Sequence, residues 1–124
     1  MTLVSTQKLN NSLLGYVKII DASWHFLSNR DGFKEYLEEH IENSIFFDLE
    51  KNSNQQKNLP HNHFLPEKKD WENTLSKLGI SNTDKLVIYD NSDLITSCRC
   101  WFQFLYFGHS PNLVFILDGG LKKW

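Results

Sequence analysis

The sequence has few cysteines, no long apolar run and no excess of positive charge. Its two cysteines, Cys98 and Cys100, are too few and too close together for a disulfide framework. No apolar run approaches the ~18 consecutive residues that a membrane span needs. A net charge of −2 offers no basic surface for nucleic acid or for an anionic membrane. We therefore expect neither nucleic acid nor a membrane as a partner.

From the first residues of the sequence we expect no secretory signal. Residues 1–6 contain neither the basic region nor the apolar region that opens a secretory signal. We expect a cytoplasmic protein in a reducing compartment. A length of 124 residues, of which 40% are hydrophobic, is enough for one domain with its own core. The sequence therefore predicts a single domain over residues 1–124.

Four short apolar runs each end at an aspartate, and amphipathic segments lie between them. The runs cover 17–21, 44–48, 86–90 and 114–118. β-Branched and aromatic runs without alternation are typical of strands that are buried on both faces. Helical spacing extends over 30–42, 66–78 and 98–108, and more weakly over 5–15. This alternation predicts an α/β three-layer sandwich with a central, mainly parallel sheet flanked by helices.

The aspartates that end the predicted strands have two interpretations. In open α/β sheets ligands bind beyond the carboxyl ends of the strands, so grouped carboxylates there could hold Mg²⁺. Alternatively, each aspartate accepts a hydrogen bond from the following loop or helix. We favour the second interpretation and expect no metal, because the chain has no phosphate-binding glycine loop and no paired-aspartate motif. The four residues are Asp21, Asp48, Asp90 and Asp118.

The cysteines and two loop histidines are the other candidates for chemistry. Residues two apart on a helix point to nearly opposite faces, so Cys98 and Cys100 cannot share a metal or form a disulfide. We expect both to be packing thiols, with Cys98 at the mouth of the preceding loop as the alternative. His61 and His63 form an H-x-H pair, but no third ligand stands at a recognisable zinc spacing.

Eight short blocks along nearly the whole chain carry a family resemblance. They are LVST (3–6), IDASW (20–24), RD with EY and HI (30–41), FFD (46–48), HFLP (63–66), VIYD (87–90), RCW (99–101) and LDGGLKKW (117–124). In order and spacing they resemble the N-terminal domain of the two-domain rhodanese family, the thiosulfate and 3-mercaptopyruvate sulfurtransferases. The resemblance implies a rhodanese-like sandwich whose final helix is truncated at Trp124.

The resemblance places an aspartate where active domains of the family have their nucleophile. In those domains a cysteine directly follows the strand at 86–89 and carries sulfur as a persulfide, whereas here that position is Asp90. A carboxylate cannot become a persulfide, so we expect this chain alone to be inactive, with no catalytic residue and no cofactor. The resemblance implies a catalytic cysteine in a C-terminal rhodanese domain that packs on this one, and a small anionic sulfur donor.

The resemblance also suggests supporting roles for four residues. His63 and Glu50 stand where the mercaptopyruvate branch has a histidine and an acid, which are proposed to support a serine of the second domain's active loop. A solvated loop histidine is an equally weighted alternative. Arg30 and Arg99 fall on family arginine positions, and we expect structural ion pairs, with donor binding as the less favoured alternative.

One departure from the family concerns the turn before the second predicted strand. The family's Pro-Gly-Ala is here Glu42, Asn43 and Ser44. Asparagine tolerates a positive φ better than most residues, so we expect Asn43 to make the turn in place of glycine.

The sequence has two alternative functional interpretations besides that of a sulfurtransferase domain. The first is a stand-alone rhodanese-like interaction or regulatory module that has lost its nucleophile. A gene that continues past Trp124 into a domain with a cysteine loop would exclude it. The second is a receiver-like phospho-acceptor domain that uses Asp90. That class needs an acidic pair after the first strand and a lysine at a late strand end, and the sequence has neither.

Overall fold

A five-stranded, wholly parallel sheet forms the centre of the computed structural model. The model describes residues 2–13, 15–25, 29–54, 64–92 and 96–124. In chain order the strands are β1 (Leu3–Val4), β2 (Lys18–Asp21), β3 (Ile45–Phe46), β4 (Leu86–Tyr89) and β5 (Val114–Leu117). Their spatial order is β1-β5-β4-β2-β3, and each neighbouring pair is parallel. The predicted parallel sheet is confirmed, with β1 as an additional edge strand.

Helices flank the sheet as predicted. They are α1 (Thr6–Lys8), α2 (Gly32–Glu38), α3 (Lys68–Leu78), α4 (Thr96–Tyr106) and α5 (Gly120–Lys123). In the described part of the chain, no helix is long and apolar enough to cross a membrane. Helices and other segments cover both faces of the sheet, so the predicted α/β layering is confirmed. The helix α2 is shorter than the segment 30–42 that the spacing suggested.

The strand β4 is the centre of the core because alternate side chains enter opposite layers. Leu86 and Ile88 face the cluster that α3 and α4 cover, and Val87 and Tyr89 face the cluster on the other side. All four side chains are fully buried. Burial on both faces explains why this run is continuously apolar rather than alternating.

The segment 5–15 differs from the single weak helix that its spacing predicted. Ser5 caps the start as expected, since its hydroxyl accepts the Lys8 N–H at 3.0 Å. The α-helix continues only to Lys8, and Leu9–Leu13 is a π-helical segment. Asn10, Asn11 and Ser12 are residue types of lower helix propensity, and the regular α-helix ends before them.

The turn into β3 confirms the expectation for Asn43. Its φ is +64°, in the left-handed region, and the Ser44 N–H donates to the Ile41 carbonyl at 2.9 Å. Most L-residues are strained in this region because Cβ approaches the carbonyl oxygen.

We expect Asn43→Ala to lower the free energy of unfolding by about 1 kcal/mol, because alanine is strained at this φ. Asn43→Gly should keep it within ~0.5 kcal/mol of the wild type, because glycine adopts a positive φ freely. Urea unfolding of the three proteins measures this difference. Equal losses for both variants would contradict the assignment of backbone strain.

Candidate functional site

Asp90 lies at the carboxyl end of β4 and accepts hydrogen bonds from the loop and helix that follow. The backbone N–H of Ser92 and its hydroxyl both donate to Oδ1 at 3.2 Å, and the Ser97 N–H donates to Oδ2 at 2.8 Å. Ser97 is in the first turn of α4, where unpaired N–H groups and the helix dipole favour an anion. The expectation that loop N–H groups would satisfy this carboxylate is confirmed.

A buried aspartate on the neighbouring strand holds the other side of the same loop. Asp21 is only 2% exposed, and its Oδ1 accepts the Ser23 N–H at 2.9 Å. The Ser23 hydroxyl in turn accepts the Asn91 N–H at 2.8 Å. Burial raises the pKa of Asp21, and the negative charge of Asp90 raises it further. The end of β2 therefore fixes the first residue of the loop after Asp90.

Tyr89 connects this region to the turn before β3. Its hydroxyl accepts the Ile41 N–H at 3.2 Å and lies 3.0 Å from the Ser44 hydroxyl. Burial raises the pKa of Tyr89, so the phenol stays protonated in the core. A polar side chain at the end of the central strand thus satisfies a buried backbone N–H.

Arg30 borders an open cleft of about 350 Å³ beside Asp90. Its guanidinium makes two hydrogen bonds of 2.9 Å to the Glu35 carboxylate, and one of 3.0 Å to the Asn91 carbonyl. Arg30 thus forms a structural ion pair, and its partner is Glu35 of α2 rather than a strand-end aspartate. The bonds from Arg30 lower the pKa of Glu35, and His25 contacts the same carboxylate at 3.0 Å. The cleft lining is Arg30, Asp90, Asn91, Ser92, Gly119, Gly120 and Lys122.

Gly119 and Gly120 also line the cleft, a role that was not predicted from the sequence. Both have positive φ, of +84° and +61°. A Cβ on Gly120 would lie 2.5 Å from the Asp90 carbonyl oxygen, which accepts the Leu121 N–H at 3.1 Å. Glycine is required because the start of α5 passes directly against the backbone of residue 90. In the sequence, the Gly-Gly pair directly after the strand-end Asp118 was the feature that could have indicated this close approach.

The two cysteines differ in their environment. Cys100 is buried, which confirms it as a packing thiol, but Cys98 is exposed, so the same expectation for Cys98 was wrong. The reason is helical phase, since the side chain two residues before a buried one lies near the opposite face of α4. Partial desolvation of the Cys98 sulfur and the negative charge of Asp90 raise the pKa of Cys98, so its thiol is disfavoured as a thiolate.

The other candidate residues are only partly covered by the structure. Glu50 is exposed in the turn after β3, whereas His61 and His63 lie outside the described residues, so the pairing of Glu50 with His63 stays a prediction. Arg99 is half-buried, and burial lowers its pKa. Its expected ion pair also stays a prediction. Within the described ranges no three His, Cys, Asp or Glu side chains form a group suited to a metal.

The other two strand-end aspartates, Asp48 and Asp118, differ in whether they accept a hydrogen bond from the following loop. Asp48 accepts the Lys51 N–H at 3.0 Å, so the interpretation is confirmed for Asp48 as for Asp21 and Asp90. Asp118 is instead exposed, 3.9 Å from the Lys123 ammonium. The repeated aspartate therefore has a local structural use at three of the four ends.

Comparison with known proteins yields one consistent set of similarities. The rhodanese-like domain family matches residues 7–124. The mitochondrial thiosulfate/3-mercaptopyruvate sulfurtransferase 1 of Arabidopsis thaliana is 39% identical over 109 residues, which cover 87% of this chain and 28% of the relative. The thiosulfate sulfurtransferase of Bos taurus is 37% identical over 129 residues, which cover 98% of this chain and 42% of the relative.

Solved structures agree with the sequence relatives. The crystal structure of the 3-mercaptopyruvate sulfurtransferase SseA from Escherichia coli superposes with a TM-score of 0.88 at 31% identity, over 100% of this chain and 47% of that one. The predicted rhodanese-like sandwich is confirmed. This chain spans less than half the length of these relatives.

We expect Asp90→Ala to lower the free energy of unfolding by about 1–3 kcal/mol, because the Ser92 and Ser97 donors lose their acceptor. Asp118→Ala is the matched control, since it removes an exposed strand-end carboxylate, and it should change stability by less than about 0.5 kcal/mol. Denaturant unfolding measures both. Equal losses in the free energy of unfolding would show that the loop after residue 90 does not depend on the Asp90 carboxylate.

The buried Asp21 predicts a pH dependence of stability. Its pKa is raised above the ordinary 3.8, so folding favours the protonated form. The contribution of Asp21 to stability is therefore fully present below pH 3.8 and is lost as the pH rises through the raised pKa. The stability of the wild type relative to Asp21→Asn should fall across that range in urea unfolding, with Asp118→Asn as the matched control. A relative stability that rises with pH would contradict this.

Proposed function

Because the chain belongs to the rhodanese-like domain family, and is homologous to thiosulfate/3-mercaptopyruvate sulfurtransferases, we propose that it is the non-catalytic N-terminal domain of such an enzyme. In this role it completes the active cleft of a second rhodanese domain. The cysteine of that domain takes sulfane sulfur from thiosulfate or 3-mercaptopyruvate and passes it to a thiophilic acceptor. The proposal is supported by the length of the relatives, of which this chain spans 28% to 47% in the cases above.

The observation that carries the proposal is the carboxylate of Asp90 at the carboxyl end of β4. Sulfur transfer from thiosulfate needs a thiolate that attacks the outer sulfur, so that an S–S bond forms and sulfite leaves with the electron pair of the broken bond. A carboxylate forms no persulfide. The Ser92 and Ser97 N–H groups, which could stabilise a sulfur anion at this position, already donate to Asp90. This edge of the sheet therefore holds an internal anion in place of a nucleophile.

Neither cysteine of the chain is suited to replace that nucleophile. Both belong to α4 rather than to the loop directly after β4. Cys100 is buried in the core, and the raised pKa of Cys98 keeps its sulfur protonated. The nucleophile in this proposal therefore comes from the second domain.

Exposed apolar side chains support the presence of a packing partner. Phe33 and Leu37 on α2, and Phe102 and Tyr106 on α4, are each about half exposed or more. Large apolar patches on a protein surface are typical of contact with another domain or chain, and these four side chains are candidates for such a contact.

We expect the isolated chain to show no cyanolysis of thiosulfate or 3-mercaptopyruvate above the buffer rate. Thiocyanate formation measures this, with bovine thiosulfate sulfurtransferase as the positive control. Cys98→Ser should behave like the wild type, because Cys98 has no part in the reaction. Turnover that is lost in Cys98→Ser would falsify the proposal that this domain is non-catalytic. A gene that encodes no cysteine-loop domain after Trp124 would instead favour the stand-alone interaction module.

A further inference from the structure

Several hydrogen bonds hold the turn 48–54, which follows β3 and exposes only Glu50 and Lys51. The Lys51 N–H donates to the Asp48 carboxylate at 3.0 Å, and the Asn52 N–H donates to the Asp48 carbonyl at 3.0 Å. The Ser53 hydroxyl donates to the Glu50 carbonyl at 2.6 Å. Ser53 is itself buried. These bonds leave the backbone of the turn little freedom.

Asn52 is the centre of this turn because each of its polar groups has a partner. Its side-chain amide donates to the Asp48 carbonyl at 2.8 Å, and its side-chain oxygen accepts the Thr74 hydroxyl at 2.6 Å. Its backbone carbonyl accepts the Gln103 side-chain N–H at 3.2 Å. Asn52 thus connects the turn to both α3 and α4, which carry Thr74 and Gln103.

Gln103 supplies its contact to the turn from an otherwise apolar position. Its side chain is 1% exposed, and its neighbours on the buried face of α4 include Cys100 and Phe104. The Asn52 carbonyl can only accept a hydrogen bond, so the Gln103 nitrogen must face it. The Gln103 oxygen, Oε1, is then buried, and it has no hydrogen-bond partner in the described part of the chain. A buried, unpaired carbonyl costs stability, which an apolar side chain of similar size would not.

The turn lies at the same edge of the sheet as Asp90. β3 pairs with β2, and β2 with β4, all in parallel, so their carboxyl ends share one edge. In open α/β sheets this is the edge at which ligands and catalytic groups meet. The turn therefore forms part of the surface at this edge, and Glu50 is exposed within it.

We propose that Gln103 is a positioning residue, which fixes the turn 48–54 as a preformed contact surface for the domain that carries the catalytic cysteine. This inference rests on the proposed function. A preformed surface lowers the entropic cost of packing two domains around an active cleft. The chain gives up stability at Gln103 and gains order in the turn, a trade that is typical of functional rather than purely structural positions.

Hydrogen exchange on the chain tests the local half of this proposal. Gln103→Met keeps the length of the side chain and removes the bond to Asn52. We expect the Asn52 and Asn54 amides to exchange about tenfold faster, with no fall in melting temperature. Gln7→Met, on the exposed α1, is the matched control and should leave both unchanged. If the Asn52 and Asn54 amides exchange at the wild-type rate, the proposal is overturned. It is also overturned if the melting temperature falls enough to explain the faster exchange by global unfolding.

Thr74→Val is a second, independent variant that removes another bond to Asn52. We expect Thr74→Val to speed amide exchange in the turn 48–54 as well. Its matched control is Thr83→Val, in an exposed turn after α3, which should leave exchange in the turn 48–54 unchanged.

Activity of the two-domain protein that contains this chain tests the functional half. Gln103→Met should lower kcat/KM for the sulfur donor about tenfold at unchanged melting temperature, since the partner domain then meets a disordered turn. Wild-type kcat/KM in this variant would overturn the positioning role alone. A wild-type two-domain protein without sulfurtransferase activity would overturn the proposed function, and the exchange data would still decide whether Gln103 orders the turn.

Discussion

The hydrogen bonds from the Ser92 and Ser97 N–H groups to the Asp90 carboxylate determine what this edge of the sheet can do. The start of α4 has unpaired N–H groups that attract an anion. Here the anion is part of the chain, so these donors are already used, and an external anion at the same place would also meet the negative charge of Asp90. The bonds that complete the start of α4 thus also leave the Ser92 and Ser97 N–H groups without free capacity for another anion.

This arrangement needs a loop whose path is fixed on both sides of residue 90. On one side Ser23, held by the buried Asp21, accepts the Asn91 N–H. On the other side the Asp90 carbonyl accepts the Leu121 N–H, across a gap that only Gly120 leaves open. These contacts involve the backbone of the loop and not the side chain at position 90. The backbone contacts that hold the loop are therefore independent of the side chain at position 90.

The sequence predicted those elements whose cause is local. The run 86–90 gave β4 within one residue, because a strand that is buried on both faces must be apolar throughout. Asn43 was predicted as the left-handed residue because few residue types tolerate that φ. In contrast, β1 is only two residues long and exists through its pairing with β5, a contact between the two ends of the chain that no local pattern contains.

The candidate site was also predictable only in part, because some of its contacts are local in the sequence and others are not. Asp90 and Arg30 were found through motifs, and the donors to the Asp90 carboxylate and the ion-pair partner of Arg30 lie within a few residues in the sequence. The bond from Arg30 to the Asn91 carbonyl joins distant parts of the chain and was not predicted. The exposure of Cys98 depends on the rotation of α4 about its axis, which a spacing pattern defines only roughly.

Gln103 shows most clearly what sequence analysis leaves out. In the pattern of α4 it is one polar residue among apolar ones, and such a residue is usually assigned to the solvent face. Its burial follows from one acceptor, the carbonyl of Asn52, which is 51 positions away in the sequence. A buried amide in an apolar layer is tolerated only when its partner is fixed in place, and the partner here is fixed by Asp48 and Thr74. The burial of Gln103 therefore depends on an acceptor that Asp48 and Thr74 hold in place, and Gln103 adds a further bond to the same residue.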